Sequence, residues 1–173
     1  QKLNTNSTIA ESMLRVEEIQ TLCLQHNKQL VIYISMGFGN PYGDTYNADI
    51  AIQWVEALQK LGIGIFAMSD TVGVSNPENI SAIFSPLSAA FPSLEFGAHF
   101  HSTKETASEK IDTALKSHCF RFDSAIGGIG GCPMAQNDLV GNLATEQLLL
   151  NLEAKGYSLG LNHSALMEAQ AMS

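Results

Sequence analysis

Two histidines one residue apart, His99 and His101 in GAHFHST (97–103), have the residue type and spacing of a metal site. On an extended segment residues i and i+2 face the same side. Both imidazoles therefore aim one way, while Phe100 turns into the interior. Converging imidazole nitrogens can hold a divalent metal ion, although a pair of hydrogen-bonded core histidines has the same spacing. A second stretch, AIGGIGGCPMAQ (125–136), sets four glycines and a proline around Cys132. It reads as a loop able to carry a thiol over a site, or as a turn holding a packed cysteine.

The elements that must position these residues alternate regularly. NSTIAESMLRVEEIQTLCLQ (6–25) is a helix opened by a capping box of Thr8 and Glu11. QLVIYISMGF (29–38) is a β-branched apolar run expected to be a strand buried on both faces. NADIAIQWVEALQKLG (47–62) carries an apolar stripe of Ala51, Trp54, Val55, Leu58 and Leu61. A second strand spans 62–70, and a helix follows with Asn76 as N-cap, Pro77 in its first turn and Pro86 expected to kink or end it. A third strand spans 94–102, helix 104–118 turns Ala107, Ile111, Ala114 and Leu115 inward, and a fourth strand spans 119–126. Helices at 142–156, stopping at Gly156, and at 162–172 close the chain.

Four β-α units in alternation imply a parallel sheet covered by helices. The architectures that fit are an open doubly wound sheet and part of a (β/α)8 barrel. A whole barrel takes roughly 250 residues, so 173 residues opening on a helix read as a barrel's second half, one domain over 1–173. In both architectures ligands bind at the carboxyl ends of the strands. Asp70, the histidine pair and Asp123 end strands there, with Cys132 and Asn142 in the next loop and helix start. Taken alone, Asp70 also suits a turn, and Asp123 a salt bridge to Arg121. His26, His118 and His163 fall away from that rim.

Composition narrows the classes. Apolar residues make up 45% of the chain and charged ones 15%, which suits a packed domain. No apolar run is long enough to span a bilayer, and the first residues show neither a signal nor a transit pattern. Three widely spaced cysteines fit free thiols in a reducing compartment, taken as the cytoplasm. Seventeen acidic against nine basic side chains give −8, with no basic cluster, which argues against a nucleic-acid or membrane partner.

The order MSDTVGV (68–74), AHFH (98–101), GGIGGCPMA (127–135) and GNLATE (141–146), with SMGFGNPYGD (35–44) before them, resembles the 3-hydroxy-3-methylglutaryl-CoA lyase family, and the likeness runs through almost the whole chain. The glycine-cysteine loop is its most specific piece. Related isopropylmalate and homocitrate synthases share the histidine pair but lack GGxGGCP. The resemblance implies a TIM barrel that cleaves a carbon–carbon bond of HMG-CoA with Mg2+ or Mn2+, in leucine or ketone-body metabolism. His99, His101 and Asn142 match its metal ligands. Cys132 matches its active-site cysteine, and Asp70 an aspartate near metal and substrate. Gly130 and Gly131 belong to its loop, and Glu146 to its NLATE segment. Lys104, beside the histidines, is a candidate for a CoA phosphate.

The departures are informative. The family's remaining metal ligand and a catalytic arginine come from an Arg-Asp-Gly type motif absent from these 173 residues. Ser102 stands where the family has aspartate, Phe100 where cysteine is common, and Met36 and Asn40 where its fifth strand has cysteines. The chain is expected to be the carboxyl half of a lyase, inactive by itself. The alternatives are a Claisen-type synthase acting on acyl-CoA and a 2-keto acid, or a non-catalytic half-barrel assembly module. Zinc hydrolases also carry paired barrel histidines, but recruit later ones that have no counterpart here. A half-barrel exposes two strand edges, so the isolated chain is expected to dimerise or to be poorly soluble. Light scattering that shows a stable monomer would count against self-assembly.

Overall fold

Thr8 opens the first helix as its capping box requires. Its Oγ1 accepts from the Glu11 N–H at 3.2 Å, and the Glu11 carboxylate accepts from the Thr8 N–H at 2.6 Å. The structure, a computed structural model, describes residues 7–131 and 140–172. That helix, α1 (Ile9–Gln25), packs Met13 and Val16 against the core but leaves Leu14, Leu22 and Leu24 exposed. It is followed by β1 (Val31–Ile34), α2 (Ala48–Gln59), β2 (Ile65–Ser69), α3 (Pro77–Ala90), β3 (Glu95–His99) and β4 (His101–Ser102). Then come α4 (Lys104–Lys116), β5 (Arg121–Asp123), a 3-10 turn at Ile126–Gly128, β6 (Gly141–Asn142), α5 (Thr145–Ala154) and α6 (His163–Met172).

The main sheet runs β1-β2-β3-β5, every pair parallel. Its register sets Ser69 beside His99 and His99 beside Asp123, so the three strands deliver polar residues to one level at their carboxyl ends. Phe38, Phe66, Phe84, Phe100, Met68 and Ile80 form the core with Val55 of α2 and Ile111 of α4. Central β2 is buried along nearly its whole length. Against expectation, β1 is only partly buried, with Tyr33 exposed, because it is an edge strand of the sheet.

Two further expectations change. Helix α3 runs through Pro86 to Ala90. The proline costs about 3 kcal/mol, but Phe84 and Leu87 on either side are wholly buried and contribute about 1.5–3 kcal/mol each. Burial wins, and the helix continues. The strand expected over 94–102 divides at Phe100, whose ring sits 5.5 Å from that of Phe38. Beyond it, β4 leaves the main sheet and pairs antiparallel with β6.

Cys23 and Cys119 are free thiols. Cys119 is buried, its Sγ 3.4 Å from the Arg121 carbonyl oxygen, and burial pushes its pKa up to about 12. Iodoacetamide at pH 8 is expected to leave Cys119 unmodified in the native protein and to alkylate it after denaturation. Mass spectrometry that finds it alkylated in the folded protein would contradict this packing.

Candidate active site at the carboxyl rim

His99 and His101 meet edge to face with ring centroids 5.5 Å apart. Each is tied at Nδ1 by a different element. His99 Nδ1 lies 3.4 Å from Asp123 Oδ2, an ion-pair contact off the ring's N–H axis rather than an aligned hydrogen bond. Asp123 Oδ2 also accepts from the Tyr33 hydroxyl at 2.7 Å, and Arg121 Nη2 stands 3.7 Å from Oδ1. The His99 contact, with Tyr33 and then Arg121 adding to it, holds the Asp123 carboxyl below its usual range against the opposing effect of burial. The same hydrogen bond pushes the Tyr33 phenol up.

His101 is buried, and its Nδ1 lies 2.6 Å from the Asp70 carbonyl oxygen. A carbonyl oxygen only accepts, so Nδ1 of the neutral ring carries the proton and Nε2 keeps its lone pair. The Asp70 side chain differs from expectation. The residue is 1% exposed, and its carboxylate does not open onto the rim. Oδ1 accepts from the Val74 and Ser75 N–H groups at 2.8 and 3.0 Å, and Oδ2 from the Ser75 hydroxyl at 2.5 Å and Lys110 Nζ at 3.4 Å. Those bonds occupy the carboxylate and make Asp70 an organiser of the loop behind His101. Lys110 escaped the sequence reading, yet it lies on the buried stripe Ala107, Ile111 and Ala114 at helical spacing.

Asn142 sits directly across the β4–β6 ladder from His101. Its Nδ2 donates to the Ile129 carbonyl at 2.9 Å, which leaves the amide oxygen as the side chain's acceptor. The glycine loop packs tightly on this strand. Gly130 has φ +90°, and a Cβ there would stand 2.9 Å from Asn142 Nδ2; one on Gly141 would meet the Gly128 carbonyl oxygen at 2.6 Å. Gly131 lies against the Val140 carbonyl. Glu146, in the first turn of α5, accepts from the Gly127 N–H with both carboxylate oxygens at 3.1 Å. Cys132 lies outside the described residues. A cavity of about 480 Å3 opens beside Asn142, lined among others by Ser102, Lys104, Gly128 and Glu146.

The described donors fit part of a cation site. His101 has Nδ1 turned to the Asp70 carbonyl oxygen, so Nε2 is the nitrogen it can offer, in the way metal-bound histidines are commonly held. His99 Nδ1 faces Asp123 without an aligned hydrogen bond. Asn142 adds an amide oxygen. None of the three donors is a carboxylate or a thiolate, and no group of three His, Cys, Asp or Glu able to hold a metal occurs among the described residues. A hard divalent cation requires an anionic oxygen as well.

Parallel strands wrapped by helices, with polar side chains gathered at the strands' carboxyl ends, define one side of an α/β barrel. The HMGL-like family model matches residues 1–172, and the chain belongs to that family. It is 32% identical over 166 residues to a hydroxymethylglutaryl-CoA lyase of Bacillus subtilis, covering 96% of this chain and 55% of that protein. A solved B. subtilis HMG-CoA lyase superposes with a TM-score of 0.90 at 31% identity, over 99% of this chain and 57% of the other. An HMG-CoA lyase of Acinetobacter baumannii, solved with coenzyme A and 3-methylmalate, superposes with a TM-score of 0.84 at 29% identity, over 98% and 55%. The chain thus spans about half the length of the curated relatives it matches.

The lowered Asp123 carboxyl has a testable consequence. A carboxylate with a depressed folded pKa contributes stability that is present above its ordinary value, 3.8, and lost as pH falls through the folded value. Urea denaturation is expected to show Asp123→Asn less stable than wild type at pH 6, with the gap closing below pH 3.8. A gap independent of pH would refute the ionised Asp123 contact.

Proposed function

We propose that this chain supplies the carboxyl half of a divalent-metal-dependent lyase that cleaves 3-hydroxy-3-methylglutaryl-CoA to acetyl-CoA and acetoacetate. The observation that carries the reading is the meeting of His99, His101 and Asn142 at one rim, in a chain 32% identical to a hydroxymethylglutaryl-CoA lyase. Mg2+ or Mn2+ held there, with a carboxylate from outside the described residues, would act as a Lewis acid on the tertiary hydroxyl of the substrate. We place that carboxylate in the other half of the barrel, so the 173 residues by themselves are inactive. The exposed edges β1 and β5 would then meet that half, and a dimer is our reading of the assembly.

This chain's residues divide the remaining work. His99 and His101 would offer ring nitrogens at the rim, the His101 ring held from behind by the Asp70 carbonyl and His99 leaning on Asp123. Glu146 fastens the glycine loop through the Gly127 N–H. Transfer of the hydroxyl proton to a base from outside the described residues would let the carbon–carbon bond break to the ketone of acetoacetate and the enolate of acetyl-CoA. Cys132, outside the described residues, is our candidate to give that enolate carbon its proton, and Gly130 and Gly131 are the loop residues that lead to it. Lys104 is exposed at the cavity edge, where it suits an anionic group of CoA. The complex of the A. baumannii enzyme with coenzyme A supports an acyl-CoA as ligand. A cytoplasmic setting accords with the rat and human relatives named cytoplasmic.

The whole protein, incubated with HMG-CoA and Mn2+ or Mg2+, is expected to release acetoacetate. His99→Ala is expected to lower the rate by more than about a hundredfold, since even groups that only support metal ligands cost 10–100-fold. Condensation of acetyl-CoA with a 2-keto acid, without cleavage, would make it a synthase. No turnover of either kind would leave the assembly module.

A further inference from the structure

Lys110 is a buried lysine that the cleavage chemistry does not use. Its side chain is 4% exposed, and an ammonium is not taken out of water without partners. Both partners lead to the same histidine. Lys110 Nζ donates to the His101 carbonyl oxygen at 2.7 Å and stands 3.4 Å from Asp70 Oδ2. Asp70 in turn accepts from His101 Nδ1 through its own carbonyl, and its N–H donates to the His99 carbonyl at 2.9 Å. The ammonium is thus the far side of a closed frame around His101: backbone held by Lys110, ring held by Asp70, and the two holders held to each other.

We infer that Lys110 is a positioning residue: its bridge between the His101 carbonyl and the Asp70 carboxylate locks the His101 ring in the Nδ1–H form, with Nε2 directed to the rim. Burial works against the charge and lowers the Lys110 pKa, and the facing Asp70 carboxylate only partly offsets it, so the ammonium depends on the frame around it. The claim that the ring serves a metal rests on the lyase reading. The claim about the ring itself does not.

The test separates the two. Imidazole nitrogens of the 15N-labelled whole protein are recorded without metal for wild type, Lys110→Met, Lys110→Gln and Lys110→Arg, with thermal midpoints alongside. Wild type is expected to show His101 entirely as the Nδ1–H tautomer. Lys110→Met is expected to show a mixture of both tautomers, and Lys110→Arg to restore the single form. Lys110→Gln, neutral but still a donor and too short to bridge, gives the readout if Lys110→Met does not fold. A folded neutral variant that keeps the wild-type ring signature, whatever its midpoint, overturns the inference, because support of the fold alone would lower the midpoint without changing the tautomer. Mn2+ binding followed by electron paramagnetic resonance is the second arm. An affinity about 10–100-fold weaker in the neutral variants is expected if the ring serves a cation. A wild-type protein that binds no Mn2+ sinks the metal reading, while the ring signature still decides the role of Lys110.

Discussion

Asp70 ties its own loop to the end of β3, to the His101 ring and to α4, 31 to 40 positions further along the chain for the last two. Its backbone N–H holds the end of β3 at the His99 carbonyl, its carbonyl holds the His101 ring, and its carboxylate gathers Val74, Ser75 and Lys110. Every polar atom of the residue is thereby engaged, as burial at 1% exposure demands. Such a knot is costly to open from any one side. Removing one partner of a buried ion pair costs about 3–5 kcal/mol, because the other charge is left stranded in a low-dielectric interior. The same economy explains why an aspartate at the end of a barrel strand, where a catalytic group is the natural reading, here faces inward.

The two histidines differ because their supports differ. His101 is buried and fixed by a short bond to a backbone carbonyl, an acceptor that cannot change protonation state. His99 is partly exposed and leans on Asp123, a carboxylate shared with Tyr33 and Arg121. One ring is therefore oriented by the fold itself, the other by a polar cluster at the sheet edge. Tyr33 belongs to edge strand β1, so this second cluster depends on the register that carries β1 to β5 across the sheet. Asn142 joins them by a different route. Its strand is two residues long, and the glycines packed against it leave no room for a Cβ at Gly141.

Much of this was legible from residue pattern. The capping box at Thr8 and the N-cap at Asn76 depend on groups three residues apart, and both formed where expected. The α-helical stripes and apolar strand runs are likewise local, and they place His99 and His101 on one rim. Boundaries were less legible: the strands are shorter than their apolar runs, since pairing ends where a neighbour ends. Lys110 lay in plain view on an apolar stripe, but charge outweighed spacing in the reading of its position. The spacing was the better guide, because a lysine so placed is buried whenever a carboxylate can meet it.

Residue order alone determined the alternation of strands and helices, the parallel sheet and the polar residues at strand ends, since all of these follow from hydrophobic period and turn chemistry acting over a few residues. Only the tertiary structure decided that the strand divides at Phe100, that His101 faces Asn142 across a ladder of residues some forty positions apart, and that the Asp70 carboxylate turns toward Lys110 rather than toward the rim. Each of these is a contest among partners distant in sequence. Its outcome depends on which buried polar atoms find a mate once the core has closed, and that pairing is a property of the packed whole rather than of any window along the chain.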